Sequence, residues 1–137
     1  MTKFEEIEQI KILIVDDNEM DLIQAKFLLE RITQIKIILT SSVIDAMSIL
    51  RAERINLVIA NTDMSFANGF RMIELMKDDI NLRNIPIFLA TVSKYPAAML
   101  EIKKSGATGG IQKPFNSLEN LESIIRFLTF DDKMKNF

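Results

Sequence analysis

With 137 residues, 48% of them hydrophobic and 26% charged, the chain has the makeup of one globular domain able to bury its own core, neither disordered nor fibrous. Its 17 basic and 19 acidic residues leave a formal charge of −2, so no basic field selects nucleic acid or an anionic membrane as a partner. Cysteine and histidine are both absent, which excludes disulfides, thiol catalysis, the commonest metal ligand and the commonest general base, and leaves carboxylates, hydroxyls and lysine for any chemistry.

Residues 1–10 read as an N-terminal lead-in. Glu5, Glu6 and Glu8 break any apolar run, which is wrong for a secretory signal, while Thr2 and Glu5 with Phe4, Ile7 and Ile10 fit a capped helical turn. No stretch approaches the roughly 20 apolar residues of a membrane span, so a soluble, cytoplasmic protein is expected.

From there two periodicities alternate. Residues 11–15, 36–39, 57–60 and 87–90 are short apolar runs rich in β-branched side chains, with a weaker run at 110–112. Their length makes them strands, and their lack of polar alternation says that both faces are covered. Between them lie helical spacings. Met20, Ile23, Phe27, Leu28 and Arg31 follow the cap Asn18, and Val43, Ala46, Met47 and Leu50 follow Ser41-Ser42. Phe70, Ile73, Leu75 and Met76 mark the third helix, residues 97–104 the fourth, and Leu118, Leu121, Ile124, Ile125 and Leu128 the fifth. Residues 129–137 read as a C-terminal tail beyond a domain of residues 11–128.

Five strands alternating with five helices predict an α/β, doubly wound (βα)5 domain of the flavodoxin-like kind, with a five-stranded parallel sheet and right-handed crossovers. In such sheets the ligand cleft lies beyond the carboxyl ends of the strands. Asp16, Asp17, Asn61, Thr91 and Lys113 all fall at or just past those ends, so the topology gathers residues far apart in sequence. Singly they carry little: adjacent acids also favour a helix N-terminus, and a threonine ending a strand is common. The glycine-bearing segment 105–110 is not a phosphate-cradling loop, since it lacks the G-x-G-x-x-G spacing and does not follow the first strand; a helix C-cap at Gly106 is the better account.

Taken together, Asp16-Asp17, Asn61 with Met64 and Gly69 behind it, Thr91 in Pro-Ile-Phe-Leu-Ala-Thr, and Lys113-Pro114-Phe115 resemble the receiver domain of two-component response regulators over roughly residues 10–128. The resemblance implies that Asp16 and Asp17 hold a divalent cation, that position 61 accepts a phosphoryl group, that Thr91 and Lys113 contact that group, and that Pro114 follows a cis bond. It also implies protein partners such as a sensor kinase, a regulator or a scaffold, met through the α4-β5-α5 face or α1, with homodimers formed through the fourth and fifth helices in many members.

This chain departs from that pattern. Position 61 carries an amide where the family has aspartate, and an acyl phosphate cannot be made on an amide. Removing one of three clustered carboxylates also costs a cation an attraction of about 4 kcal/mol at about 4 Å with an effective dielectric near 20. Any magnesium site left on Asp16 and Asp17 is weak or vestigial, and the two acids are free to form an ion network with Lys113. Gly110 stands where the family's switch aromatic is expected, and Ser65 where a proline usually follows the methionine. Asp63, two residues past Asn61, is the one acid placed to restore charge or to act as a displaced acceptor. The sequence thus reads as a pseudo-receiver: not an enzyme, requiring no cofactor, and signalling through protein-protein interaction without phosphorylation. The alternatives are a working phosphoacceptor using Asp63 or another site, and a small-molecule sensor in the acidic cleft.

Overall fold

The computed structural model describes residues 9–135. The lead-in expected at 1–10 lies outside them up to residue 8, and Ile10 already belongs to the first strand. In chain order the elements are β1 (Ile10–Val15), α1 (Glu19–Leu29), β2 (Ile35–Thr40), α2 (Val43–Ala52), β3 (Leu57–Asn61), α3 (Gly69–Lys77), β4 (Ile87–Thr91), α4 (Pro96–Lys104), β5 (Gly109–Gln112) and α5 (Leu118–Lys135). All strand pairs are parallel, in the order β2-β1-β3-β4-β5. No helix among the described residues is long and apolar enough to cross a membrane.

Local chemistry sets the helix starts. Asn18, Ser42 and Asn68 each place a side-chain oxygen on the N–H three residues on, those of Asp21, Asp45 and Arg71, and so satisfy a donor that the first turn leaves open. Pro96 opens α4, where its fixed φ and missing N–H do no harm.

The sheet is covered on both faces, as the unbroken apolar strands require. Leu13, Val15, Val58, Ala60 and Leu89 pack with Val43, Met47 and Leu50 of α2, Met72, Ile73 and Met76 of α3, and Ile102 of α4. The alternate residues Ile12, Ile14, Leu57, Ile59, Phe88, Ala90 and Ile111 pack with Ala25 and Leu29 of α1 and Ile124 and Leu128 of α5. Phe88 and Phe127 meet edge to face, ring centroids 5.1 Å apart.

Two expectations from periodicity need correction. Of the stripe that signalled α1, Met20, Ile23, Phe27 and Arg31 face solvent and only Leu28 is buried; Phe27 is 73% exposed, and Ala25 and Leu29 bury beside Leu28. The helix is apolar on two sides, so spacing alone marked it correctly as a helix but chose the outward stripe. The fifth helix also runs past residue 128 to Lys135, because residues 129–135 hold no glycine or proline to stop it.

The site depends on how the strands end. Val15 is level with Thr40 and Ala60, Asn61 with Ala90, and Thr91 with Gln112. The ladders run one residue further: Asp16 N–H donates to Thr40 O at 3.1 Å, Thr62 N–H to Ala90 O at 2.9 Å and Lys113 N–H to Thr91 O at 2.8 Å. Asp16, Asn61 and Lys113 are thereby held on fixed backbone at one edge of the sheet, with β1 beside β3 at the point where the strand order reverses.

Candidate functional site

Asp16 is buried, and both of its oxygens are engaged. Oδ1 accepts from Asn18 N–H at 2.9 Å and from the Asn61 side-chain amide at 3.1 Å, while Oδ2 accepts from Lys113 Nζ at 2.6 Å. The charge is compensated where it is buried, which is the condition for a carboxylate to persist there.

Asn61 ends β3, buried beside this pair. Its Nδ2 donates to Asp16 and, at 2.7 Å, to the backbone carbonyl of Asp63; its Oδ1 accepts from Asp63 N–H at 3.3 Å. Only an amide can donate and accept in this way, so the residue is fixed by its own chemistry. A carboxylate at this position would be acceptor-only and would face Asp16 with like charge.

Lys113 is held by two acids. Besides Asp16 it donates to Asp21 Oδ2 at 2.7 Å, and its Nζ sits 5.5 Å from the centre of the Phe115 ring. The Lys113–Pro114 bond is cis, as the resemblance implied. The segment carrying it is clasped from α5, where the buried Asn120 donates through Nδ2 to both Gln112 O and Pro114 O at 2.9 Å.

The remaining expected residues stand near this cluster without joining it. Asp17 is turned towards the β3α3 loop, its Oδ2 accepting from Ser65 N–H at 3.0 Å and Ser65 Oγ at 3.2 Å. A proline at 65 could make neither bond. Thr91 ends β4, but its hydroxyl accepts from Ser93 N–H at 3.1 Å. The side chain of Asp63 is exposed and only its backbone joins the site. Gly110 faces α4: a Cβ there would come 2.7 Å from Met99 Cε and 3.3 Å from Ile102 Cγ2, so the room an aromatic ring would need is filled by α4.

These donors do not fit a divalent cation as they are arranged. Asp16 is engaged by Lys113, Asn18 and Asn61, Asp17 Oδ2 by Ser65, and the Asp63 carbonyl by the Asn61 amide. Among the described residues no three acids come together in a set that could hold a metal. A hard cation needs several oxygens free to turn towards it.

Asp21, Ser65 and Asn120 were not singled out as site residues by sequence. Asp21 lies four and seven residues before the buried Ala25 and Leu28, but the sequence did not mark it, because periodicity left open which side of α1 turns inward. Ser65 and Asn120 carried no signal, because hydroxyls and amides in loops and first turns are ordinary capping residues.

The chain belongs to the response regulator receiver domain family, whose model matches residues 12–126, and so to the receiver domains of two-component signalling. Among curated relatives, it is similar to the polar-differentiation response regulator DivK of Brucella anthropi, 26% identical over 117 residues, covering 85% of this chain and 94% of that one. Among solved structures, the fold matches the chemotaxis response regulator CheY4 of Vibrio cholerae at TM-score 0.74 and 24% identity, covering 86% of this chain and 97% of the other. It also matches the signal receiver domain of a DNA-binding response regulator of Colwellia psychrerythraea at TM-score 0.76 and 22% identity, covering 88% and 99%. A receiver domain in two-component signalling works with other proteins, and this chain has that class of role.

Proposed function

We propose that this receiver domain signals without aspartyl phosphorylation, as a protein-interaction module whose strand-end cleft is structural. The observation that carries this reading is the position of the Asn61 amide, which donates to Asp16 and to the Asp63 carbonyl in the place where a carboxylate would have to attack phosphorus. The engagement of Asp17 by Ser65 and of Asp16 by Lys113 supports a domain that requires no divalent cation and catalyses no reaction. The filling of the Gly110 notch by Met99 supports loss of the aromatic relay to the output face. Partner contact then rests on surfaces with apolar groups already exposed, Met20, Ile23 and Phe27 on α1, Met99 and Leu100 on α4, and Tyr95 just before it.

Incubation with acetyl phosphate and magnesium, followed by intact mass and peptide mapping, tests this. The expected result is an unchanged mass. A labile gain of one phosphoryl group overturns the reading, and mapping that gain to Asp63 would make the exposed acid the acceptor.

A further inference from the structure

Lys113 has a partner from outside the strand ends. Asp21 lies on α1, on the side that carries Ala25 and Leu28 inward, and takes the Lys113 ammonium at 2.7 Å while Asp16 takes it at 2.6 Å. The lysine side chain is 4% exposed, so both bonds form largely out of water and the ammonium is fixed between two charged acceptors. The Asn61 amide makes three hydrogen bonds, to Asp16 and to the Asp63 backbone, and two of the three N–H of the Lys113 ammonium go to Asp16 and Asp21, so the hydrogen bonds of the two side chains lead away from each other.

We propose that Asp21 is a positioning residue that withholds Lys113 from position 61, so that the cleft is closed to phosphoryl transfer by two separate features, the amide at 61 and the acid at 21. This rests on the non-phosphorylating reading of the cleft and adds a cause that reversion of Asn61 alone does not remove. In a chain carrying Asn61→Asp, an oxygen of the new carboxylate forms a bond to the phosphorus of acetyl phosphate, the bond from phosphorus to the acetyl oxygen breaks, and acetate leaves with the electron pair. Negative charge on the transferring group is then stabilised from the protein side by an ammonium aimed at it, and an ammonium shared by Asp16 and Asp21 is aimed elsewhere. Asp21→Asn keeps the side-chain shape and removes the charge, which loosens the hold while leaving the Asp16 pair in place.

The test compares full-length Asn61→Asp, Asn61→Asp/Asp21→Asn and Asn61→Asp/Asp21→Glu for the rate of acyl phosphate formation from acetyl phosphate and magnesium, with the thermal midpoint of each measured alongside. The Asp21→Asn double variant is expected to react at least about tenfold faster than Asn61→Asp, and the Asp21→Glu double variant to stay slow. Equal rates in Asn61→Asp and its Asp21→Asn double variant overturn the inference and leave the native chain's reading standing. A phosphoryl gain on the native chain overturns that reading instead. Asp21→Asn alone gives a second readout that needs no reaction: the Lys113 ammonium signal in 15N spectra is expected to shift and to exchange faster with solvent, and an unchanged signal also overturns the inference.

Discussion

Asn61 donates its side-chain amide to the buried Asp16 carboxylate over 3.1 Å, a bond that the aspartate expected at that position cannot make. Replacing the amide by an acid of the same shape therefore does more than add an acceptor for phosphate. It exchanges an attractive contact for two carboxylates about as close, beside a carbonyl of Asp63 that loses its donor. Asn61→Asp is expected to destabilise the domain by about 1–3 kcal/mol without divalent metal, from a lost hydrogen bond to a charged group and an unsatisfied buried acceptor. Urea unfolding at neutral pH measures it, and a midpoint at or above the native one would count against this geometry.

The ion cluster predicts unequal costs for its members. Lys113→Met leaves Asp16, whose side chain is 1% exposed, without its counter-charge, and is expected to cost about 3–5 kcal/mol. Asp21→Asn leaves Lys113 paired with Asp16, and Asp21 is 22% exposed, so about 1 kcal/mol or less is expected. Parallel denaturation curves should give this order; equal losses would show that Asp16 does not depend on the lysine.

At Gly110 the prediction concerns packing. Gly110→Tyr has to push aside Met99, whose Cε lies 2.7 Å from the site of the new Cβ, and about 1–3 kcal/mol of destabilisation is expected. Shortening the obstacle should recover part of it, so Gly110→Tyr/Met99→Ala is expected to be more stable than the two single changes summed. Strict additivity would mean that Met99 does not fill the notch.

On α1 the outward stripe can be separated from the inward one. Phe27→Ser is expected to change stability by no more than about 0.5 kcal/mol, as for a surface substitution. Leu29→Ala, in the core beside Ile12 and Ile59, is expected to cost about 2–5 kcal/mol. A large loss at Phe27 would reverse the assignment of the two faces.

Much of this was legible in the sequence because strands buried on both faces leave an unmistakable signature: residues 57–60 and 87–90 read as strands and are strands, and their ends fix where Asn61 and Thr91 stand. The helix count was equally clear. What periodicity could not give is which side of α1 turns inward, since Met20-Ile23-Phe27 and Ala25-Leu28-Leu29 are both regular. Nor could it give side-chain partners. Lys113 with Asp21 is a contact across 92 residues, and Asp17 with Ser65 one across 48; nothing local marks either. Thr91 was placed correctly at its strand end, yet its hydroxyl turns to Ser93, a choice made by loop backbone rather than by spacing.

The central claim, that the cleft has no acceptor for a phosphoryl group, is tested most directly with beryllium fluoride, which mimics that group only by coordinating a carboxylate oxygen. Backbone amide spectra of the native chain, recorded with magnesium and increasing beryllium fluoride, should show Ser65, Thr91 and Lys113 unmoved. Saturable shifts at those three residues would contradict the account.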